Sequence, residues 1–271
     1  MGNLPLKDKV AVVTGGASGI GLATCWELAV KGAGIAMLDM DAATLETRHK
    51  EFSDQGVDII TLLCDISCEQ ECQIAVQKVI DRFGRIDILF NNAGITQRGL
   101  FEKTQLSVFR QVMDVNFFGS IYCTKAALPS LLETRGIIMV NESIAGVAPL
   151  IGRTGYSASK HALHGFFTSL RCELRHKGVH VMIVCPGFVR TNLQTRALGN
   201  DGGLATHAQT KIGKEDTPEN AARQIVAGML KKKSMLVLTG IGKIGYFLSR
   251  LSPAGYEYLM THQFKKELSS P

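Results

Sequence analysis

Tyr156 and Lys160 stand four residues apart in "GYSASKHALHGF", a stretch with helical spacing and small side chains between them. Residues at i and i+4 share one helix face, so the phenol lies one turn from the ammonium. A free tyrosine titrates near pH ~10, a poor match to neutral chemistry. An adjacent ammonium favours the phenolate, and each unit taken off that pKa is worth roughly 1.4 kcal/mol. The pairing suits a proton donor and acceptor that works near neutral pH.

A second group sits near the N-terminus. "TGGASGIG" spaces Gly15, Gly19 and Gly21 as G-x-x-x-G-x-G between an apolar run and a helical stretch. Glycines there let the backbone approach a pyrophosphate, and the helix start offers open N–H groups and a positive dipole end. Asp39 closes the next apolar run eighteen residues beyond Gly21, near the spacing of an acid that holds a ribose 2′-hydroxyl. A carboxylate there repels a 2′-phosphate, and neither 15–21 nor 36–42 contains Arg or Lys. NAD is therefore expected over NADP.

These groups need a frame to position them. "KVAVVTGG", "GIAMLD", "VDIITLLCD", "RIDILFNNAG", "RGIIMVNES", "GVHVMIVCPG" and "SMLVLTG" are seven apolar runs of strand length. Amphipathic stretches lie between them, among them Cys68–Phe83, Ser107–Leu132, Tyr156–Lys177 and Pro218–Lys231, the last capped by Thr217 with proline in its first turn. Strands alternating with helices predict one α/β domain, a parallel sheet covered on both faces. Residues 190–216 are polar and glycine-dotted, and a connection that long in a compact domain is a lid or binding loop. The expected division is a dinucleotide-binding and catalytic domain over 1–240, including that loop, and an extension over 241–271 packed on it or on a neighbouring subunit.

Composition excludes several classes. The chain has 271 residues, 45% hydrophobic and 20% charged, which suits a globular protein that buries a large core without disulfides. Seven scattered cysteines complete no zinc pattern, and Cys68 and Cys72 read as reduced thiols on a helix, so no metal and a cytoplasmic setting are expected. The N-terminus has no apolar signal core, and Leu6 stands where a myristoylation signal carries Ser or Thr. No stretch reaches the ~18 apolar residues of a membrane span. The net charge of +6 is modest, Lys231–Lys233 reads as a solvated turn, and no basic–aromatic interleaving suggests nucleic acid.

Together "TGGASGIG", "NNAG" at 91–94, Asn116 in "DVNFFGS", Ser143 in "NESIAG", "YSASK" at 156–160 and "CPGFVRT" at 185–191 resemble the short-chain dehydrogenases/reductases, in order and spacing across roughly 7–240. The resemblance implies a single Rossmann-like domain, a doubly wound sheet with helices on both faces, that moves hydride between a nicotinamide cofactor and a carbonyl or alcohol carbon. It implies Tyr156 as acid/base and Lys160 as the residue that holds the nicotinamide ribose and acidifies the tyrosine. Ser143 would orient the substrate oxygen, and Asn116 would anchor a water in the proton relay. At the cofactor, Gly15, Ser18, Gly19, Ile20 and Gly21 form the phosphate turn, and Asp39 meets the ribose. Asp65 and Ile66 lie at the adenine, Asn92, Ala93 and Gly94 at the adenosine half, and Pro186, Gly187, Val189 and Thr191 around the nicotinamide.

Substrate contacts are expected in 95–101, 144–155 and 190–216, where Val147, Leu150 and Ile151, with Leu193, Leu198 and Leu204, would make an apolar wall. An apolar secondary alcohol or ketone suits that wall better than a small polyol. Arg153 is placed to meet an anionic group of a substrate, with a solvated arginine as the stronger expectation. Strand alternation turns Glu142 away from Ser143, and His161 and His164 are expected on the outer side of their helix or against a subunit neighbour, without a catalytic role. The helix at 218–231 and the run "SMLVLTG" resemble the elements through which such proteins form dimers or tetramers. Phe247, Leu248, Leu251, Leu259 and Phe264 are enough to dock a tail helix. The competing functions are an NADPH-dependent ketoreductase of acyl-thioester type, a cofactor-binding regulator without turnover, and a membrane-surface scaffold acting through the tail.

Overall fold

The computed structural model describes residues 4–206 and 213–268. Its seven strands are all parallel: β1 (Val10–Thr14), β2 (Gly34–Asp39), β3 (Ile59–Leu63), β4 (Ile88–Asn91), β5 (Ile137–Asn141), β6 (His180–Cys185) and β7 (Met235–Val237), in the order β3-β2-β1-β4-β5-β6-β7. The apolar runs are continuous because helices cover both faces. In β1, Val10 and Val12 join one core, while Ala11 and Val13 join the other. The first core packs under α3 (Glu69–Phe83), α5 (Gly119–Thr134) and α6 (Thr154–Arg175). The second packs under α1 (Gly19–Val30), α2 (Ala42–Asp54) and α7 (Pro218–Leu230). Such two-sided burial is the signature of a parallel sheet.

The strand order reverses direction at β1 and β4, which opens a crevice beyond their carboxyl ends. At the opposite end Asp87 ties the sheet together: it is 4% exposed and accepts from Lys9 Nζ (3.0 Å), Val10 N (3.0 Å), and Arg85 Nε (2.8 Å) and Nη2 (2.7 Å).

Several local expectations change. The single helix expected over Ser107–Leu132 is α4 (Leu106–Met113), a π turn (Asp114–Phe118) and α5, in one unbroken path. The extra residue of a π turn rotates the side chains after it, a feature often found at functional sites. Here it carries Asn116 into the interior, fully buried. The helix α2 was not singled out from sequence; among its residues only Leu45 and Phe52 are buried, too few for a clear period.

The tail forms α8 (Gly240–Leu251), α9 (Pro253–Gln263) and the short α10 (Lys265–Leu268). Of the five residues expected to dock it, Phe264 is 4% exposed, whereas Phe247, Leu251 and Leu259 face outward. Polar contacts do the rest: Ser249 Oγ donates to Val147 O (2.9 Å) and Tyr256 Oη to Pro149 O (2.8 Å).

Candidate active site

The crevice is a cleft of about 660 Å³. One end is the turn from β1 into α1. Gly15 (φ +59°) and Gly19 (φ +54°) adopt backbone that favours glycine. A Cβ on Gly15 would stand 2.8 Å from Ala93 Cα, and one on Gly19 3.1 Å from Thr191 Cγ2. Ser18 caps α1 without a side-chain hydrogen bond, so the first N–H groups of the helix stay open to the cleft beside Ile20. Gly21 lies inside the turn, pressed against Asn92. Bare glycines, open N–H groups and no lysine or arginine in the turn fit a dinucleotide held by backbone.

Asp39 ends β2 on the cleft lining. Its Oδ2 accepts from Ala17 N (3.1 Å) and its Oδ1 from Met40 N (2.8 Å), which fixes the carboxylate over the turn. Sequence windows around the turn hold no base, yet α2 brings one: Arg48 Nε donates to Ala17 O (3.2 Å). Its Nη1 is engaged by Glu51 at 2.8 and 2.6 Å. Only the fold could reveal this residue, because it lies on a helix whose pattern is weak. Asp65 and Ile66 follow β3 on the same lining, with Ser67 N (2.9 Å) and Oγ (2.8 Å) donating to Asp65 Oδ1.

The middle of the cleft is built around Asn92, after β4. Its Nδ2 donates to Thr14 O (3.0 Å) and Gly15 O (3.1 Å), and its Oδ1 accepts from Asn141 Nδ2 (2.9 Å). Asn141 O then accepts from Lys160 Nζ at 2.8 Å. A chain of amides thus runs from the glycine turn to the lysine. Asn116 stands behind the lining and clamps the next loop: Ile95 N donates to its Oδ1 (2.8 Å), and its Nδ2 donates to Ile95 O and Ser159 Oγ (2.9 Å each). A Cβ on Gly94 would sit 2.9 Å from Asn116 Oδ1 and 3.4 Å from Lys160 Nζ, so a side chain there would crowd both.

The far end holds Ser143, Tyr156 and Lys160. Ser143 follows β5, and its Oγ accepts from Ala145 N (3.1 Å), which orients the hydroxyl. Lys160 Nζ lies 5.7 Å from the centroid of the Tyr156 ring. Burial pulls the Lys160 ammonium down to about 8, with the Glu142 carboxylate opposing. Burial pushes the Tyr156 phenol up, while a hydrogen bond from Ser143 and the Arg153 guanidinium pull it down. Pro186, Gly187, Val189 and Thr191 form the facing wall, where Ile144 N donates to Pro186 O (3.0 Å).

Arg153 corrects the sequence reading: it is 5% exposed, lines the cleft, and its Nη1 donates to Gln97 O (2.9 Å). Nothing in its own segment signalled that burial, which comes from residues far along the chain. Glu142 turns away from Ser143, as alternation requires, and meets His164 Nδ1 at 3.1 Å and Cys185 Sγ at 3.5 Å. His161 is exposed, with its Nδ1 2.7 Å from Gly146 O, whereas His164 is half-buried against Glu142. The apolar wall is also different. Leu150 and Leu193 line the cleft together with Ile95, Ile144 and Phe188, but Val147, Ile151, Leu198 and Leu204 do not. Val147 is covered, and Leu204 is 67% exposed. The 190–216 loop pairs with the 95–101 segment through Arg98 N to Leu198 O (2.7 Å) and Leu198 N to Thr96 O (2.9 Å). Its residues 207–212 lie outside those described.

Among the described residues no group of His, Cys, Asp and Glu is arranged to hold a metal, and no helix is long and apolar enough to cross a membrane.

Known proteins resemble this chain in sequence and fold. The short chain dehydrogenase family profile matches residues 9–202. "Dehydrogenase/reductase SDR family member 7B" of Xenopus tropicalis is 32% identical over 97% of this chain and 87% of its own length. "Dehydrogenase/reductase SDR family protein 7-like" of Dictyostelium discoideum is 32% identical over 95% and 82%. Among solved structures, a short-chain dehydrogenase/reductase from Burkholderia phymatum in complex with NAD superposes with a TM-score of 0.82 at 22% identity, over 92% of this chain and 95% of that one. An alcohol dehydrogenase from the archaeon Thermococcus sibiricus complexed with 5-hydroxy-NADP superposes at 0.73 with 28% identity, over 85% and 95%. The chain belongs to the short-chain dehydrogenase/reductase family and is an oxidoreductase that acts on CH–OH groups with a nicotinamide cofactor.

Proposed function

We propose that the protein interconverts a secondary alcohol and a ketone with NAD(H), on a substrate with an apolar body, through Tyr156 as acid and base. The observation that carries this reading is the convergence of Ser143 and Tyr156 on one cleft end, with Lys160 held by Asn141 beside them. The nicotinamide, when bound, accepts hydride from the alcohol carbon or returns it. The protein handles the proton. In oxidation the Tyr156 Oη takes the hydroxyl proton, and in reduction it gives that proton to the carbonyl oxygen. The Ser143 hydroxyl donates to the same substrate oxygen and steadies its developing charge. Lys160 holds the ribose hydroxyls and keeps positive charge near the phenol. Asn116 anchors a water of the proton relay, held in position by its bonds to Ile95 and Ser159.

For the cofactor, the glycine turn takes the pyrophosphate and Asp39 the adenosine ribose. Asp65, Ile66 and Asn92–Gly94 take the adenosine half, and the 186–191 segment the nicotinamide half. Residues 1–240 would form the catalytic unit, with 241–271 as its cover, and β7 and α7 the contact to another copy. A second reading, an NADPH-linked ketoreductase, draws on Arg48 beside Ala17, although Glu51 already neutralises that guanidinium.

Calorimetric titration of NADH and NADPH into wild type and Asp39→Ala tests the cofactor. NADH preference that the substitution erodes is expected; NADPH preference in the wild type would overturn it. In turnover assays Tyr156→Phe should lose about 10²–10⁴-fold in rate with NADH binding intact. A Tyr156→Phe enzyme with normal turnover would end the acid/base role.

A further inference from the structure

Two cations on the cleft lining are buried, Lys160 and Arg153. The first has its place in the proposed chemistry, and the second has none so far. Arg153 stands three residues before Tyr156, at the start of α6. A guanidinium carries five N–H donors, and among the described residues Arg153 uses one hydrogen bond, to Gln97 O at 2.9 Å. Behind it lie Arg98, 5% exposed, and Glu267 of α10, 6% exposed; neither lines the cleft. Arg98 is occupied elsewhere, its Nη2 donating to Gln194 O (2.9 Å). Glu267 acts on both guanidiniums, and its Oε2 would lie 3.8 Å from a Cβ on Gly152.

Glu267 thus acts on both guanidiniums from outside the cleft lining, while Arg153 itself lines the cleft that takes the proposed substrate. A buried cation with open donors is costly unless an acceptor meets it. The guanidinium fork matches a carboxylate in two parallel hydrogen bonds. Burial pulls Arg153 down only to about 10, so it is charged at neutral pH. Arg153 and Tyr156 line the same cleft, and the guanidinium acts directly on the phenol, which puts bound anion and phenol within reach of one small substrate. Beyond them the walls are apolar, at Ile95, Leu150, Phe188 and Leu193.

We propose that Arg153 binds a carboxylate of the substrate, and that the enzyme's substrates are hydroxy or oxo acids with an apolar remainder, reacting at a carbon a few bonds from that carboxylate. The inference rests on the hydride-transfer reading above for the reacting carbon. Its anion site is tested independently of turnover.

Octanoate and octanamide, titrated calorimetrically into the enzyme–NADH complex, differ in charge and match in shape. Octanoate should bind about tenfold to a hundredfold more tightly, as expected for hydrogen bonds to a charged group. Arg153→Gln should erase that preference while octanamide binds as before, and Arg153→Lys should keep part of it as a point charge. Equal binding of the two probes to wild type would overturn the proposal, and so would an equal loss of both in a folded Arg153→Gln. A wild-type ratio near one overturns the proposal whether or not the variant folds, and Arg153→Lys separates this site from Lys160. A preserved octanoate preference without turnover of any hydroxy acid would remove the hydride-transfer reading and leave the anion site standing. Turnover of alcohols without that preference would remove the anion site alone.

Discussion

Replacing Gly21 by alanine asks how tightly the cofactor turn is built. Gly21 lies in the first turn of α1, where alanine is the better helix former by about 1 kcal/mol. Propensity alone therefore makes the variant more stable. Packing says the reverse. A Cβ there would stand 2.6 Å from Asn92 Nδ2 and 2.9 Å from Gly15 C, and closer still to the Gly15 carbonyl oxygen. Carbon contacts relax at about 3.5–4.0 Å, so these atoms must retreat by about 1 Å. Asn92 cannot retreat freely, since its Nδ2 binds Thr14 O and Gly15 O. Overpacking of this kind costs about 1–3 kcal/mol, and a shift of about 1 Å in a site costs about 10²-fold in rate. Gly21→Ala should thus lose stability in urea despite its propensity, and should bind NADH more weakly by fluorescence titration. Gly165→Ala is the control: it lies on the exposed face of α6 with nothing within 4 Å of the new Cβ. It should gain up to about 1 kcal/mol and leave NADH binding alone. If Gly21→Ala proved as stable as Gly165→Ala, with wild-type affinity for NADH, the reasoning from the turn's packing would be wrong.

Three further outcomes follow from the same geometry. Asp87→Asn should destabilise by about 1.5–3 kcal/mol in chemical denaturation, the range for a hydrogen bond to a charged group. Burial pushes the Asp87 carboxyl up, but Arg85, the Val10 N–H and Lys9 hold it below the usual value on balance. Its stabilisation is therefore present at neutral pH and lost as pH falls through that lowered value, so the variant should show a flatter acid limb. Lys160 gives a slope of the same sign at higher pH, but there folding disfavours the charged form, because burial lowers it to about 8. Between about 8 and the unfolded value of about 10.4 the unfolded chain binds the extra proton, so stability rises with pH across that window. NADH affinity should fall there as the ammonium is lost, and Lys160→Met should flatten both curves. Ending the chain after Thr239 removes the bonds to Val147 and Pro149. Calorimetry should then find NADH binding unchanged and octanoate binding weakened; unchanged octanoate binding would rule out a role for the tail in the substrate wall.

The sheet was legible because a strand buried on both faces has no polar positions to disguise it, as in "VAVVT" and "HVMIVC". The gathering of the glycines and Asp39 at one end of the cleft was legible for a related reason: they lie within one βαβ unit, where spacing in sequence stands for spacing in the fold. The substrate end was not. Arg153 is covered by Glu267, more than a hundred positions away, and no local pattern records such a contact. The apolar tail residues suggested docking, yet Phe264 goes in and Leu251 stays 83% exposed, because polar bonds from Ser249 and Tyr256 set the orientation. The π turn was hidden for another reason, since the helical period runs through it and only the extra residue changes.

The bonds from Ser249 to Val147 and from Tyr256 to Pro149 span 102 and 107 residues. Chains are made from the N-terminus, and units fold as they become available. Strands β1 to β4, with the glycine turn, Asp39 and Asn92, are complete by residue 94. The wall over 144–152 waits for the last stretch of the chain. Synthesis therefore delivers a nucleotide cradle first and a substrate chamber last. A translation product cut short by thirty residues would keep every strand of the sheet and lack the two bonds that brace the 144–152 wall.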